Sequence, residues 1–371
     1  MPITRRSPKQ QQITFVFNID DNEQKDDTEE HPVPSPALAK VKTKPLPKKR
    51  GRKKTSIPTY DGRLESLSDL LRLATEEVLY VNINVPLLMS IKQELTQLHT
   101  LIGLDTIKKS LFEQLVFYMQ HLHEGSNMYL NTVIYGPPGT GKTTIAKLIG
   151  SMFSKLHVIK SNDDEDDPIF EIARRDDLIG EYLGHTSIKT QELLEMCVGG
   201  VIFIDEVYSL GNKDKNDSFS KEAIDTITLF LSEHRNEIMM IIAGYKDEIE
   251  SCFFTYNEGL RRRFMWYHTI EPYTPEQLRD IFLLQVTQSN WTYDDTVGET
   301  VLQSIHSHKE LFNNNAGSIE NMITLVKIKH GKRVLLLPDG DKKRITSEDI
   351  VTAVQELQKV KKPEPFLSMY M

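Results

Sequence analysis

Val133-Ile134-Tyr135-Gly136-Pro137-Pro138-Gly139-Thr140-Gly141-Lys142-Thr143-Thr144 is the stretch that decides the fold. Its first three residues read as the end of a buried strand. The next eight fit G-x-x-x-x-G-K-[ST], and residues 144–150 continue with helical spacing. Strand, glycine-rich loop and helix are the context in which such a loop binds phosphate. Glycines let successive backbone N–H groups converge on an oxyanion, and the helix N-terminus adds a favourable dipole. The reading assigns Gly136, Pro137, Pro138, Gly139, Thr140, Gly141, Lys142, Thr143 and Thr144 to a bound nucleoside triphosphate. Lys142 is expected to bridge the β- and γ-phosphates and Thr143 to ligate Mg²⁺.

Downstream, Val201-Ile202-Phe203-Ile204-Asp205-Glu206 is a buried strand that delivers two acids at its carboxyl end, where open α/β sheets bind ligands. An apolar run ending in Asp-Glu says little alone. One unit after a phosphate loop, it predicts that Asp205 holds Mg²⁺ through water and contacts the nucleotide site, while Glu206 polarises the attacking water. Hydrolysis of ATP is therefore expected rather than binding alone. Short apolar runs at 132–135, 156–160, 201–205 and 239–244 alternate with helical stretches, which predicts a parallel sheet covered by helices on both faces. After Pro272 the strands stop. Helical spacing at 275–288, 294–309 and 316–330, with a last helix from Ser347, reads as a small helical lid. Residues 334–337 and Ile345 flank Pro338-Asp339-Gly340-Asp341 as a hairpin-like turn. Before the phosphate loop, helices are expected at 64–80, 86–99 and 105–123, the last with Asp105 as N-cap.

The expected organisation is a tail at 1–60, a helical linker region at 61–97, a large ATPase domain at 98–273, the lid at 274–362 and a short tail at 363–371. Hydrophobic residues make up 39 % and charged ones 26 %, a globular average diluted by something polar. Cys197 and Cys252 sit in apolar stretches and read as reduced core residues, which suits an intracellular compartment. No apolar run approaches the roughly 20 residues of a membrane span, so no membrane partner is expected.

The first sixty residues are too polar to offset chain entropy, apart from the alternating run Ile13-Thr14-Phe15-Val16-Phe17-Asn18-Ile19. They end in a block that is basic without interruption by acids: Lys40, Lys42, Lys44, then Lys48-Lys49-Arg50-Gly51-Arg52-Lys53-Lys54. The Arg-Gly-Arg centre resembles an AT-hook, whose two guanidinium groups lie along an A·T-rich minor groove. The same composition serves as a nuclear import signal, and a solvated charge run is the plain alternative. A nucleus or a DNA-containing viral compartment follows from either of the first two readings.

The phosphate loop, Arg175-Asp-Asp-Leu-Ile-Gly-Glu-Tyr-Leu-Gly-His-Thr186, Gly200-Val-Ile-Phe-Ile-Asp-Glu206 and Ala243-Gly-Tyr-Lys-Asp247 together resemble AAA ATPases. The branch is that of the red-type Rubisco activases and the stage V sporulation protein K group, with similar ATPases in large DNA viruses. The resemblance covers about residues 98–360. It implies that Tyr182, Leu183 and Gly184 line a central pore and grip an extended peptide; packing of Tyr182 on its own domain is the alternative. Gly259-Leu-Arg-Arg-Arg-Phe264 resembles the segment in which Arg261 and Arg263 reach a neighbour's γ-phosphate, which implies a homo-oligomeric ring, a hexamer by family habit. Leu101-Ile102-Gly103-Leu104 matches the segment that packs around adenine, or else it is ordinary linker packing.

Two positions depart from the pattern. Tyr245 stands at the end of the sensor strand, where many AAA proteins have asparagine. In the lid, Gly317 and Glu320 stand where the family carries arginines, which leaves Lys327, Lys329 and Arg333 as candidate replacements. Three readings follow. The first is a ring that remodels or unfolds a protein partner by threading. The second is a DNA-handling motor or loader, disfavoured because a pore gripping DNA should carry Lys or Arg where Tyr182-Leu183 stands. The third is a nucleotide-gated scaffold with little turnover.

Overall fold

The computed structural model describes residues 57–126, 128–160, 169–182, 184–211, 217–335 and 342–361. Leu183 and the basic block at 48–54 lie outside these residues, as does the turn at 338–341. Four helices open the described chain: α1 (Leu67–Glu76), α2 (Val85–Ser90), α3 (Lys92–Thr100) and α4 (Asp105–Met119). The α/β part follows with β1 (Asn131–Tyr135), α5 (Lys142–Lys155), β2 (Phe170–Ala173), α6 (Arg175–Leu178), α7 (His185–Met196) and β3 (Val201–Ile204). It closes with α8 (Ser218–Glu233), β4 (Met239–Gly244), α9 (Lys246–Glu248), α10 (Glu258–Arg261) and β5 (Phe264–Thr269). The lid holds α11 (Pro275–Gln288), β6 (Thr292–Tyr293), α12 (Val297–Ser307), α13 (Asn315–Arg333), β7 (Arg344–Ile345) and α14 (Ser347–Lys361).

The five strands form one parallel sheet in the order β2-β3-β4-β1-β5. Every residue of β1, β3 and β4 is buried, as helices on both faces require. The phosphate loop leaves β1, and Asp205-Glu206 leaves β3, at the same carboxyl edge of the sheet. The expected α/β fold with a helical lid is therefore the observed one. On one face α1, α3, α4 and α5 share a core through Leu70, Leu95, Leu111, Ile149 and Phe153. The segment read as a linker is thus part of the body of the domain.

Several local expectations fail, for identifiable reasons. Residues 156–160 are not a strand. Leu156, Val158 and Ile159 are buried, but they form the turn after α5, in which the Val158 N–H donates to the Phe153 carbonyl. The second strand is β2 instead, and β5 was unforeseen. Both are edge strands with exposed positions, so neither presents a continuous apolar run. The 86–99 helix is two helices broken at Ile91, and Asp105 is the first residue of α4 rather than its cap, which is Leu104. Ile345, expected to flank the hairpin-like turn that lies outside the described residues, pairs in parallel with Tyr293.

Candidate nucleotide-binding site

The phosphate loop arches from β1 to α5 with Gly139 and Gly141 at φ +71° and +85°, a left-handed conformation that a Cβ would strain. At Gly139 a side chain would also run into the Asn314 backbone carbonyl of the lid. The loop's first amide is pinned from the end of β4, since the Gly136 N–H donates to the Gly244 carbonyl at 3.1 Å. Lys142 folds back over its own loop. Its Nζ donates to the carbonyls of Gly136 (3.2 Å) and Pro137 (3.0 Å). Burial holds this ammonium below the usual lysine range, against the opposing pull of Asp205 and Glu206.

Thr143 Oγ1 stands 3.5 Å from Asp205 Oδ2. A hydroxyl and a carboxylate this close, beside a phosphate-binding loop, supply the hard oxygen donors that Mg²⁺ takes together with phosphate and water. Next to them Glu206 is exposed and sits at φ +49°, a strained conformation for a residue with a Cβ. A partly buried neighbour, Tyr208, holds its carboxylate. Burial, then the Glu206 charge and the hydrogen bond it shares with Glu206, push the Tyr208 phenol up to about 12. Tyr245 lies 43 % exposed with its ring 6.1 Å from that of Tyr208. Nothing in the sequence singled out Tyr208; its role depends on the turn at Val207–Leu210 that follows the strained glutamate.

Lys142, Thr143, Asp205 and Glu206 line a cleft of about 480 Å³. Its apolar end is built by Leu101, Ile102 and Leu104 on one side and Ile281 and Leu284 of the lid on the other. Lys108 fixes the 101–104 segment by donating to the Leu101 carbonyl at 2.5 Å. Among the described residues no lid cation lines the cleft; Gly317 and Glu320 do. The three candidate replacements are engaged elsewhere. Lys327 donates to Ser289 Oγ (3.0 Å), Lys329 pairs with Glu356 (3.5 Å), and Arg333 grips both oxygens of Asp349 (2.9 Å each). The expectation that one of them takes the arginine's place in the cleft is corrected.

The two arginines expected to reach a neighbour's γ-phosphate part company. Arg261 is half exposed, pairs with Glu250 and lies over the Phe254 ring. Glu250 in turn accepts from the Tyr135 hydroxyl at 2.6 Å. Arg263 is spent inside its own domain, donating to Ser232 Oγ (2.8 Å) and to the Gly259 carbonyl. At the other predicted site Tyr182 is 65 % exposed, and among the described residues the His185 ring lies beside it, edge-on at 5.5 Å. The base of this loop is fixed: Lys189 Nζ donates to the carbonyls of Asp176 and Ile179, and Thr190 Oγ1 to that of Leu178. Arg175 ties the same segment to the turn after β3 through the Ser209 carbonyl and to the N-cap of α8 through Asp217.

The model of the family described as "ATPase family associated with various cellular activities (AAA)" matches residues 132–265, and that of the AAA lid domain matches 274–360. A cfxQ-like protein of Acanthamoeba polyphaga mimivirus is 35 % identical over 254 residues, which are 68 % of this chain and 61 % of that protein. A chloroplastic ribulose bisphosphate carboxylase/oxygenase activase of Cyanidioschyzon merolae is 32 % identical over 69 % of this chain and 86 % of its own length. Stage V sporulation protein K of Bacillus subtilis is 36 % identical over 50 % of this chain and 57 % of its own.

Proposed function

The chain belongs to the AAA ATPase family, and on that premise we propose that it hydrolyses ATP with Mg²⁺ in a ring of its own copies and pulls on a protein partner through the ring's centre. The loop amides and Lys142 hold the phosphates, and Thr143 and Asp205 hold the metal ion, which would neutralise charge on the phosphate oxygens. Glu206, oriented by Tyr208, takes the proton of the attacking water. Arg261 completes the site of the neighbouring copy. Its half-exposed position at the end of α10, where it pairs with Glu250 and lies over the Phe254 ring, supports this, and Arg263 acts as its brace. A head-to-tail contact of this kind closes into a ring, a hexamer by family habit.

The observation that carries the substrate reading is Tyr182: a large ring left 65 % exposed on a loop whose base is fastened. Such a residue offers broad, sequence-tolerant contact to an extended polypeptide. Tyr182→Ala should keep melting temperature and basal ATPase while abolishing stimulation by an unfolded polypeptide. Unchanged stimulation would remove the threading reading, and stimulation by single-stranded DNA instead would make the chain a DNA motor. A Tyr182→Ala protein lacking polypeptide response but retaining full stability distinguishes grip from packing, because truncating a core tyrosine costs about 3–5 kcal/mol.

The basic block of the tail acts in this proposal as a tether to A·T-rich DNA or as an import signal, not as part of the motor. Deleting residues 40–54 should weaken duplex binding and leave basal ATPase intact. The relatives' names do not transfer their partner, since the fold does not fix the substrate.

A further inference from the structure

The peptide planes of the phosphate loop are held from two sides. For its N–H groups to face a phosphate, the carbonyls must face away, and each carbonyl that the lid or the loop itself covers then needs a donor. Lys142 supplies donors to the first two, Gly136 and Pro137. The next three are all served by residues beyond the sheet. Asn315 Nδ2 donates to the Pro138 carbonyl at 3.1 Å, the Ala316 N–H to that of Gly139 at 3.0 Å, and the Tyr273 hydroxyl to that of Thr140 at 3.2 Å.

Asn315 joins the set together. Its Oδ1 accepts from the Tyr273 N–H at 3.1 Å, so one side chain ties the hinge into the lid to the loop's middle carbonyl. It is only 4 % exposed and sits at φ +51°, a backbone state that asparagine tolerates better than most residues. Both of its amide atoms are therefore used, and the helix it opens is α13, the longest in the lid. No charge is involved at any of these contacts.

We infer that Asn315 is a positioning residue that couples nucleotide binding to the lid through the backbone of the phosphate loop, without touching the nucleotide. A phosphate that draws the loop amides inward turns the same peptide planes whose carbonyls Asn315, Ala316 and Tyr273 hold. The orientation of the lid thus follows the state of the loop. This is the task that a lid arginine would perform by reaching the phosphate directly, and in this chain Gly317 and Glu320 occupy that wall. The inference rests on the reading of the loop as an ATP site.

The test uses the full chain, fluorescent ADP to measure affinity, and hydrogen–deuterium exchange of the peptide at the start of α13. In the parent, ADP should slow exchange there. Asn315→Gly keeps the backbone conformation available and removes both side-chain bonds. It should bind ADP within about tenfold of the parent, lose most of the nucleotide-dependent protection in α13, and lower kcat several-fold with little change in KM. Tyr273→Phe removes only the hydroxyl and should shift both readouts in the same direction by less, and it serves in its place if Asn315→Gly does not fold. Nucleotide-dependent protection in α13 that survives intact in these variants would overturn the inference, as would its absence in a parent that binds ADP. A parent that fails to bind ADP would instead bring down the functional reading itself, and Lys142→Ala provides the non-binding reference.

Discussion

On the sheet wall of the cleft, charged groups converge from strand ends: Lys142, Asp205 and Glu206 stand with Thr143 within one loop and one turn of each other. On the lid wall the contacts with the phosphate loop are amide and phenol hydrogen bonds, while Lys327, Lys329 and Arg333 turn away to partners of their own. The difference separates two tasks. Charge is concentrated where it can act on phosphate and water, and neutral, directional bonds join the lid to the loop. A hydrogen bond to a carbonyl depends on the angle of a peptide plane, so it reports a change of loop shape that a long flexible cation would absorb.

The comparison breaks most visibly if Glu206 can be neutralised without harm. Glu206→Gln should keep ATP binding and lower turnover by about 10³-fold, the range for removing a general base; turnover near the parent's would take this residue out of the chemistry. Arg333→Met is the corresponding cut on the lid side. It leaves Asp349, only 2 % exposed, with His330 and the Thr346 hydroxyl and N–H but no cationic fork. The expected result is loss of about 3 kcal/mol of lid stability in chemical denaturation, with nucleotide affinity unchanged wherever the lid stays folded. A fall in affinity without a fall in stability would return Arg333 to the cleft.

Acid should separate the two bodies. Burial of His268 in β5 pushes its pKa down to about 4 from the ordinary 6.5. Its unfolded form therefore takes the proton first, and stability that is complete above pH 6.5 is lost as pH falls toward 4, by about 3 kcal/mol. In the lid, burial raises the pKa of Asp349, but Arg333, the Thr346 amide and His330 outweigh it and hold the carboxyl to about 2. That contribution is present above about pH 4 and fades only as pH falls toward 2. The two tryptophans report the bodies separately, Trp266 in β5 and Trp291 against His330 in the lid. In single-tryptophan variants Trp266 fluorescence should change at the higher pH, and His268→Gln should remove that early phase. Simultaneous transitions would deny the separation. The smallest effect belongs to Lys327→Met: no change in nucleotide affinity beyond about twofold, because its ammonium donates to Ser289 and lies over Trp291 rather than facing the cleft.

The sequence by itself determined the nucleotide wall. Residues 133–144 and 201–206 are contiguous, their apolar runs are continuous because β1 and β3 are buried on both faces, and the phosphate loop is built from neighbours in the chain. It also established the lid as a helical body, and it located Tyr182 on a loop between elements. Tertiary structure decided the rest. The edge strands β2 and β5 carry exposed residues and so lack the run that betrays an interior strand, whereas the turn at 156–160 has that run without being a strand. Arg261 and Arg263 read alike until folding gives one of them Ser232 and Gly259 as partners. The Asn315 bond to Pro138 spans 177 positions, and an asparagine at the start of a helix carries no local sign of it. Periodicity records which face of an element is buried; it holds no information about which distant carbonyl a side chain will meet, and that meeting is settled only when the two bodies pack.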